Sequence, residues 1–131
     1  MASIIREIRI AAKPDLVWDA LRDVGALHTG LAPGFVTDTR VEDGARIVTF
    51  GNGAVVKELI VDVDDRSRRI AWSAVGGRLT HHKASAQVFS DGEGTRFVWI
   101  ADLLPYEMAP AIAIMIDEGL TVIRRTLEAS T

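Results

Sequence analysis

PYEMAPAIAIMIDEGLTVIRRTLEAST, Pro105 to Thr131, is the stretch that decides the fold. It follows a long run of strand-like sequence and reads as one sustained helix beginning near Glu107. Pro110 then falls in the first turn, where a missing N–H is harmless. About 20 residues at ~1.5 Å each span roughly 30 Å, enough to cross a sheet. Arg124 and Arg125 suit the negative end of the helix dipole. Two features are unusual for a plain packing helix. One is the pair Met108 and Met115; the other is Gly119, since glycine in mid-helix costs about 1 kcal/mol relative to alanine. The inward stripe is expected to be Met108, Ile112, Met115, Ile116 and Gly119. Gly119 is expected to thin the helix and leave cavity space beside it.

Working back, Ser3 to Ile10 has period two and reads as a strand. Lys13-Pro14-Asp15 opens a helix, with Pro14 near its first position and Leu16, Val17, Ala20, Leu21 and Val24 at helical spacing. Gly25 to Gly34 carries three glycines and Pro33, and reads as a short helix or turn plus a loop. Six strand patterns follow: Phe35 to Val41, Arg46 to Phe50, Val55 to Val63, Arg69 to Val75, Thr80 to Phe89 and Arg96 to Leu104. Turn residues such as Gly51-Asn52-Gly53 and Gly76-Gly77 separate them, so consecutive hairpins build an antiparallel meander. The fold class is therefore α+β. A twisted antiparallel sheet leaves one apolar face to be covered, and only the last helix is long enough.

Strand phases name the covered face. Ile70, Trp72 and Ala74 form one inward set, and Phe97, Trp99, Ala101 and Leu103 another. Thr80, His82, Ala84, Ala86 and Val88 face inward in preference to His81, Lys83, Ser85 and Gln87. Between Val55 and Val63 the two phases conflict. Hydropathy alone places Val55, Lys57, Leu59, Val61 and Val63 inside. The inner face mixes large aromatics with alanines, a pattern that fits tight packing or a lined cavity equally well.

A chain of 131 residues is read as a single domain, 1–131. With a net charge of −3 and no basic cluster beyond Arg66, Arg68 and Arg69, it offers no positive face to nucleic acid. The absence of cysteine excludes disulfides and thiolate chemistry. Arg6, Glu7 and Arg9 interrupt what a signal peptide would need as an apolar run. Ala109 to Ile116 is far shorter than the ~20 residues that span a bilayer. The expected setting is cytoplasmic.

The order of elements, the VWDAL segment at Val17 to Leu21 and the block KELIVDVDDRSRRIAWSAVGGRLTHHKASAQVF at Lys57 to Phe89 resemble the Bet v 1/START-like superfamily. Within it, the nearest likeness is to the polyketide cyclase/dehydrase and lipid-transport (SRPBCC) group. The resemblance covers essentially the whole chain. It implies a helix-grip fold: a seven-stranded antiparallel sheet wrapped around a long C-terminal helix, with two short helices after the first strand and an apolar ligand cavity between sheet and helix. The same block is similar to plant abscisic-acid receptors. That likeness aligns Glu58, Trp72 and His82 with ligand-facing positions, Phe50 to Ala54 with a gate and Gly76 to Leu79 with a shortened latch. It also reverses the hydropathy phase, placing Val56, Glu58 and Ile60 inside. The lysine that holds the hormone's carboxylate has no counterpart here, so abscisic acid is not an expected ligand.

The leading functional expectation is a binder of a small hydrophobic molecule or lipid. Its expected contacts are Phe35, Ile60, Trp72, Ala74, Ala84, Phe97, Trp99, Tyr106, Met108, Ile112, Met115, Ile116 and Gly119. An alternative is a cofactor-independent enzyme of the polyketide cyclase/aromatase or dehydratase type. Glu58 and His82, on strands two apart and roughly 10 Å from each other, would be its acid and base. A third is a protein-interaction module of the chaperone-stimulating type, and Val98 and Ile100 on the outer face suit a homodimer. No metal site is expected. Adjacent His81 and His82 point to opposite faces, and Asp62, Asp64 and Asp65 lack the spacing of a calcium loop. Ser73 and Ser85 have no partners for a hydrolase triad.

Overall fold

The computed structural model describes residues 2–131. Strand β1 is Ala2–Ile10 and helix α1 is Pro14–Arg22, followed by a single wide turn of π-type helix at Leu27–Leu31. Six strands come next: β2 Val36–Glu42, β3 Ala45–Phe50, β4 Val55–Asp64, β5 Arg69–Val75, β6 His81–Asp91 and β7 Gly94–Leu104. A 3-10 turn, Tyr106–Met108, leads into α2, Ala109–Ala129. The α-helix thus starts two residues later than its expected beginning at Glu107, with Pro110 inside its first turn.

All seven strands form one antiparallel sheet in the order β1-β7-β6-β5-β4-β3-β2. Hairpins join each strand from β2 to β7 to the next, and β1 closes onto β7 across register pairs such as Ile4↔Ala101 and Ile8↔Phe97. The first and second strands are therefore the two edges. The helix-grip arrangement is observed: α2 lies across the concave face and packs on β1. Among the described residues no helix is long and apolar enough to cross a membrane.

The two halves of α2 are packed differently. Ile116, Leu120, Ile123 and Leu127, at helical spacing, are buried. Toward the N-terminus Ile112 and Met115 are only half-buried, and Ile114 is exposed. Polar ties fix the helix at its end and near its middle: Ala11 N–H donates to Glu128 Oε2 at 2.8 Å, and Arg6 pairs with Asp117 at 3.0 Å. Helix α1 is held at its own end by the β4–β5 turn, where Asp65 accepts bonds from Trp18 Nε1 at 2.9 Å and Arg22 Nε at 2.8 Å.

Strand phases agree with the sequence pattern in β5, β6 and β7: Ile70, Trp72, Ala84, Ala86, Val88, Phe97, Ala101 and Leu103 are buried. In β4 the hydropathy phase is wrong. Val55, Leu59 and Val61 are exposed while Glu58 is buried, because Glu58 has an ionic partner inside. A bulge between Ile60 and Asp62 then shifts the register of the remaining strand.

Gly119 also departs from expectation. It leaves no void: a Cβ built there would lie 3.0 Å from Phe35 Cε2 and 3.2 Å from Trp99 Cζ3. Two aromatic rings pack directly on bare helix backbone. Replacing Gly119 with valine is expected to destabilise the fold by about 1–3 kcal/mol through overpacking, measured as a lowered urea midpoint. An unchanged midpoint would show that the rings do not constrain this position.

Candidate functional site

The space between sheet and helix lies where α2 packs loosely. It is a cavity of about 140 Å³. Its floor alternates bulk and emptiness: Trp72, Phe97 and Trp99 project into it beside Ala74, Ala86 and Ala101. Trp72 and Trp99 meet edge to face with centroids 5.9 Å apart. Met115, Ile112 and Ile116 of α2 form the roof, and Leu21, Leu27 and Leu31 close one end.

Phe35 and Phe50, in edge contact at 5.6 Å, line both this cavity and an outer groove beside Asn52, Ala54 and Ile114. With Val56 and Met115, which also line both, they stand between the two spaces. The loop carrying Phe50 is tied back by Gly51 N–H donating to the Phe35 carbonyl at 2.9 Å. Gly51 permits that approach, since a Cβ there would sit 2.4 Å from the Gly34 carbonyl oxygen. Asn52 closes the turn by accepting from Ala54 N–H at 2.9 Å.

One polar cluster interrupts the apolar wall. Arg46 on β3 donates from Nε to Glu58 Oε1 on β4 at 2.8 Å, and both side chains are almost wholly buried. Arg46 also reaches the Val24 carbonyl at 3.5 Å and lies 5.6 Å above the Trp72 ring. A guanidinium over an indole face is a favourable cation–π contact. On the far side of β5, His82 Nδ1 accepts the Ala74 N–H at 3.0 Å. That acceptor role assigns the ring proton to Nε2 and keeps the imidazole neutral.

The titratable groups respond to this setting in opposite senses. Burial pushes the Glu58 carboxyl above the ordinary carboxylate range, and the charge and hydrogen bond of Arg46 pull it back. Burial holds the His82 imidazole below its usual value, aided by His81 and opposed by Asp102.

Of the expected site residues, Phe35, Glu58, Trp72, Ala74, His82, Phe97, Trp99, Ile112, Met115 and Ile116 line the cavity. Ile60, Ala84, Tyr106, Met108 and Gly119 do not. Tyr106 is 68% exposed, because the turn before α2 carries it outside. Met108, in the same turn, packs against the edge of the core. Ala84 is sealed in the sheet opposite Trp72. Glu58 and His82 flank Ala74 as strands two apart should, with Glu58 bound through Oε1 to Arg46 and His82 through Nδ1 to backbone. Arg46 is the residue that sequence reasoning missed. The signal was present: a hairpin centred on Asn52 sets Arg46 directly opposite Glu58 and Val48 opposite Val56.

A seven-stranded antiparallel sheet gripping a C-terminal helix over such a cavity is the architecture of START and Bet v 1 domains. The family model described as "Polyketide cyclase / dehydrase and lipid transport" matches residues 1–128, and the chain belongs to that family. Among solved structures, an uncharacterised protein from Bacillus thuringiensis superposes with a TM-score of 0.85 at 14% identity, over 96% of this chain and 98% of that one. Norcoclaurine synthase from Thalictrum flavum, solved as a point mutant with a transition-state analogue, gives 0.76 at 22% identity, over 99% and 96%. A START superfamily protein from Mycobacterium smegmatis gives 0.71 at 14%, over 98% and 95%. At these identities the likeness concerns the fold. No curated protein matches the chain.

Two outcomes follow from the buried pair. Arg46→Met strands a carboxyl in the apolar interior and is expected to cost about 3–5 kcal/mol, whereas Arg46→Met with Glu58→Leu costs less than the single change. A double-mutant cycle by urea unfolding checks this; strictly additive losses would show that the two side chains are not coupled. The second outcome concerns pH. A carboxyl raised on folding holds its proton more tightly in the folded state. Its stabilising contribution is full below the unfolded carboxylate value and is lost as pH rises through the folded one. The stability of the wild type relative to Glu58→Gln should therefore decline across that window. A flat difference would contradict the shift.

Proposed function

We propose that this protein binds a small, predominantly apolar molecule in the cavity between the sheet and the N-terminal half of α2. The single observation that carries the reading is the largely apolar space of about 140 Å³, left by alanines set among tryptophans. An apolar void near 150 Å³ is enough to take up a benzene-sized guest. Family membership supports the reading, because the family's description includes lipid transport. The Phe35–Phe50 partition is the proposed door, since it separates the cavity from the outer groove.

A second reading, cofactor-independent cyclisation or dehydration, is favoured by one observation: burial raises the Glu58 carboxyl toward the range useful for proton transfer. In that reading Glu58 moves the proton, His82 Nε2–H donates to a developing oxyanion and Arg46 positions Glu58. Glu58→Gln would then abolish turnover on a polyketide-like substrate while binding persists. Loss of binding in parallel with turnover would favour a purely binding role for Glu58.

Binding is tested by titrating isotope-labelled protein with benzene. Shifts should cluster at Trp72, Ala86, Trp99 and Met115 and spare Leu59 and Val61. Ala86→Leu, which fills the floor, should weaken binding by roughly tenfold or more. Shifts confined to the outer face, or affinity indifferent to Ala86→Leu, would overturn the reading.

A further inference from the structure

We propose that the cavity selects neutral molecules presenting a hydrogen-bond acceptor beside a donor, of the amide, lactam or hydroxycarbonyl class, and rejects carboxylates although an arginine lines it. The proposal rests on the ligand-binding reading above and specifies what that site takes.

The argument is one of charge and of unspent hydrogen bonds. Only Arg46, Glu58 and His82 among the lining residues can carry charge. Arg46 and Glu58 neutralise each other through the 2.8 Å bond, and His82 is neutral because Nδ1 accepts from Ala74 N–H. The polar wall therefore has no net charge to offer an anion. A carboxylate entering it would lose its hydration and also meet the Glu58 carboxylate, a burial that is costly without a compensating charge.

The same pair still has capacity for a neutral guest. Arg46 spends Nε on Glu58 and Nη1 on the Val24 carbonyl, while Nη2 has no protein partner. Glu58 spends Oε1, and its Oε2 has none. Neither atom is sealed from accessible space, since no buried side-chain nitrogen or oxygen among the described residues lacks a partner. Both residues line the cavity, so one ion pair brings a donor from Arg46 and an acceptor from Glu58 to the same wall, which matches a group that accepts and donates in turn. An amide does this; a carboxylate can only accept.

Benzamide and benzoate are isosteric probes of this distinction. Calorimetric titration of the full chain at mildly alkaline pH should show benzamide binding at least about tenfold more tightly. Glu58→Gln leaves the Arg46 charge uncompensated, so the preference should shrink by roughly tenfold or reverse. Arg46→Gln with Glu58→Gln restores a neutral wall and should restore the preference for benzamide. Benzoate binding as tightly as benzamide to the wild type would overturn the proposal while leaving the cavity reading intact. An unchanged ratio in a folded Glu58→Gln protein would also overturn it. Failure of benzene and both probes to bind would remove the ligand reading and this inference together. Should Glu58→Gln not fold, the wild-type ratio still decides.

Discussion

Everything in this molecule depends on how one helix covers one curved sheet. The concave face is too long and too apolar to be left in water, and among the described residues α2 is the only element that reaches across it. The helix does so unevenly. Its C-terminal half is locked by Leu120, Ile123 and Leu127 and tied by Glu128 to the chain after β1. The N-terminal half stands off. Aromatics reach up from β5 and β7 and alanines do not, so the mismatch in side-chain volume becomes a cavity. Gly119 marks the boundary, the point where Phe35 and Trp99 press against the helix backbone and the packed half begins.

The second constraint is electrostatic. A buried ion pair adds little net stability, because the desolvation of two charges offsets most of their attraction. Arg46 and Glu58 are thus a costly way to fill a wall that leucine and methionine would fill well. Their placement beside the cavity, with one nitrogen and one oxygen unspent, is what the proposed recognition role would explain. The indole of Trp72, its ring centre 5.6 Å from the guanidinium carbon, links this polar cluster to the aromatic floor.

Much of the fold was legible because period-two alternation, glycine-rich turns and one long helical run are local signals. The inward phases of β5, β6 and β7 were legible for the same reason. The phase of β4 was not legible from hydropathy, because Val55, Leu59 and Val61 lie outside and a glutamate lies inside. Only resemblance to ligand-binding relatives corrected it. The role of Arg46 is not legible from its own strand, because its pairing with Glu58 emerges only when the hairpin register around Asn52 is counted. Tyr106 and Met108 were misplaced because a 3-10 turn precedes the α-helix there, and a helical pattern cannot separate the two. Gly119 was read as leaving a void because sequence shows a missing side chain but not the rings that take its place.

The central claim is that the space under the N-terminal half of α2 is a chamber for a guest. A crystal structure of the protein grown with benzene tests it most directly. The account expects density for one guest between Trp72, Trp99 and Met115, with Phe35 and Phe50 closed over it. A collapsed interior, with Met115 or Trp99 filling the space and the guest found only on the outer surface, would contradict it.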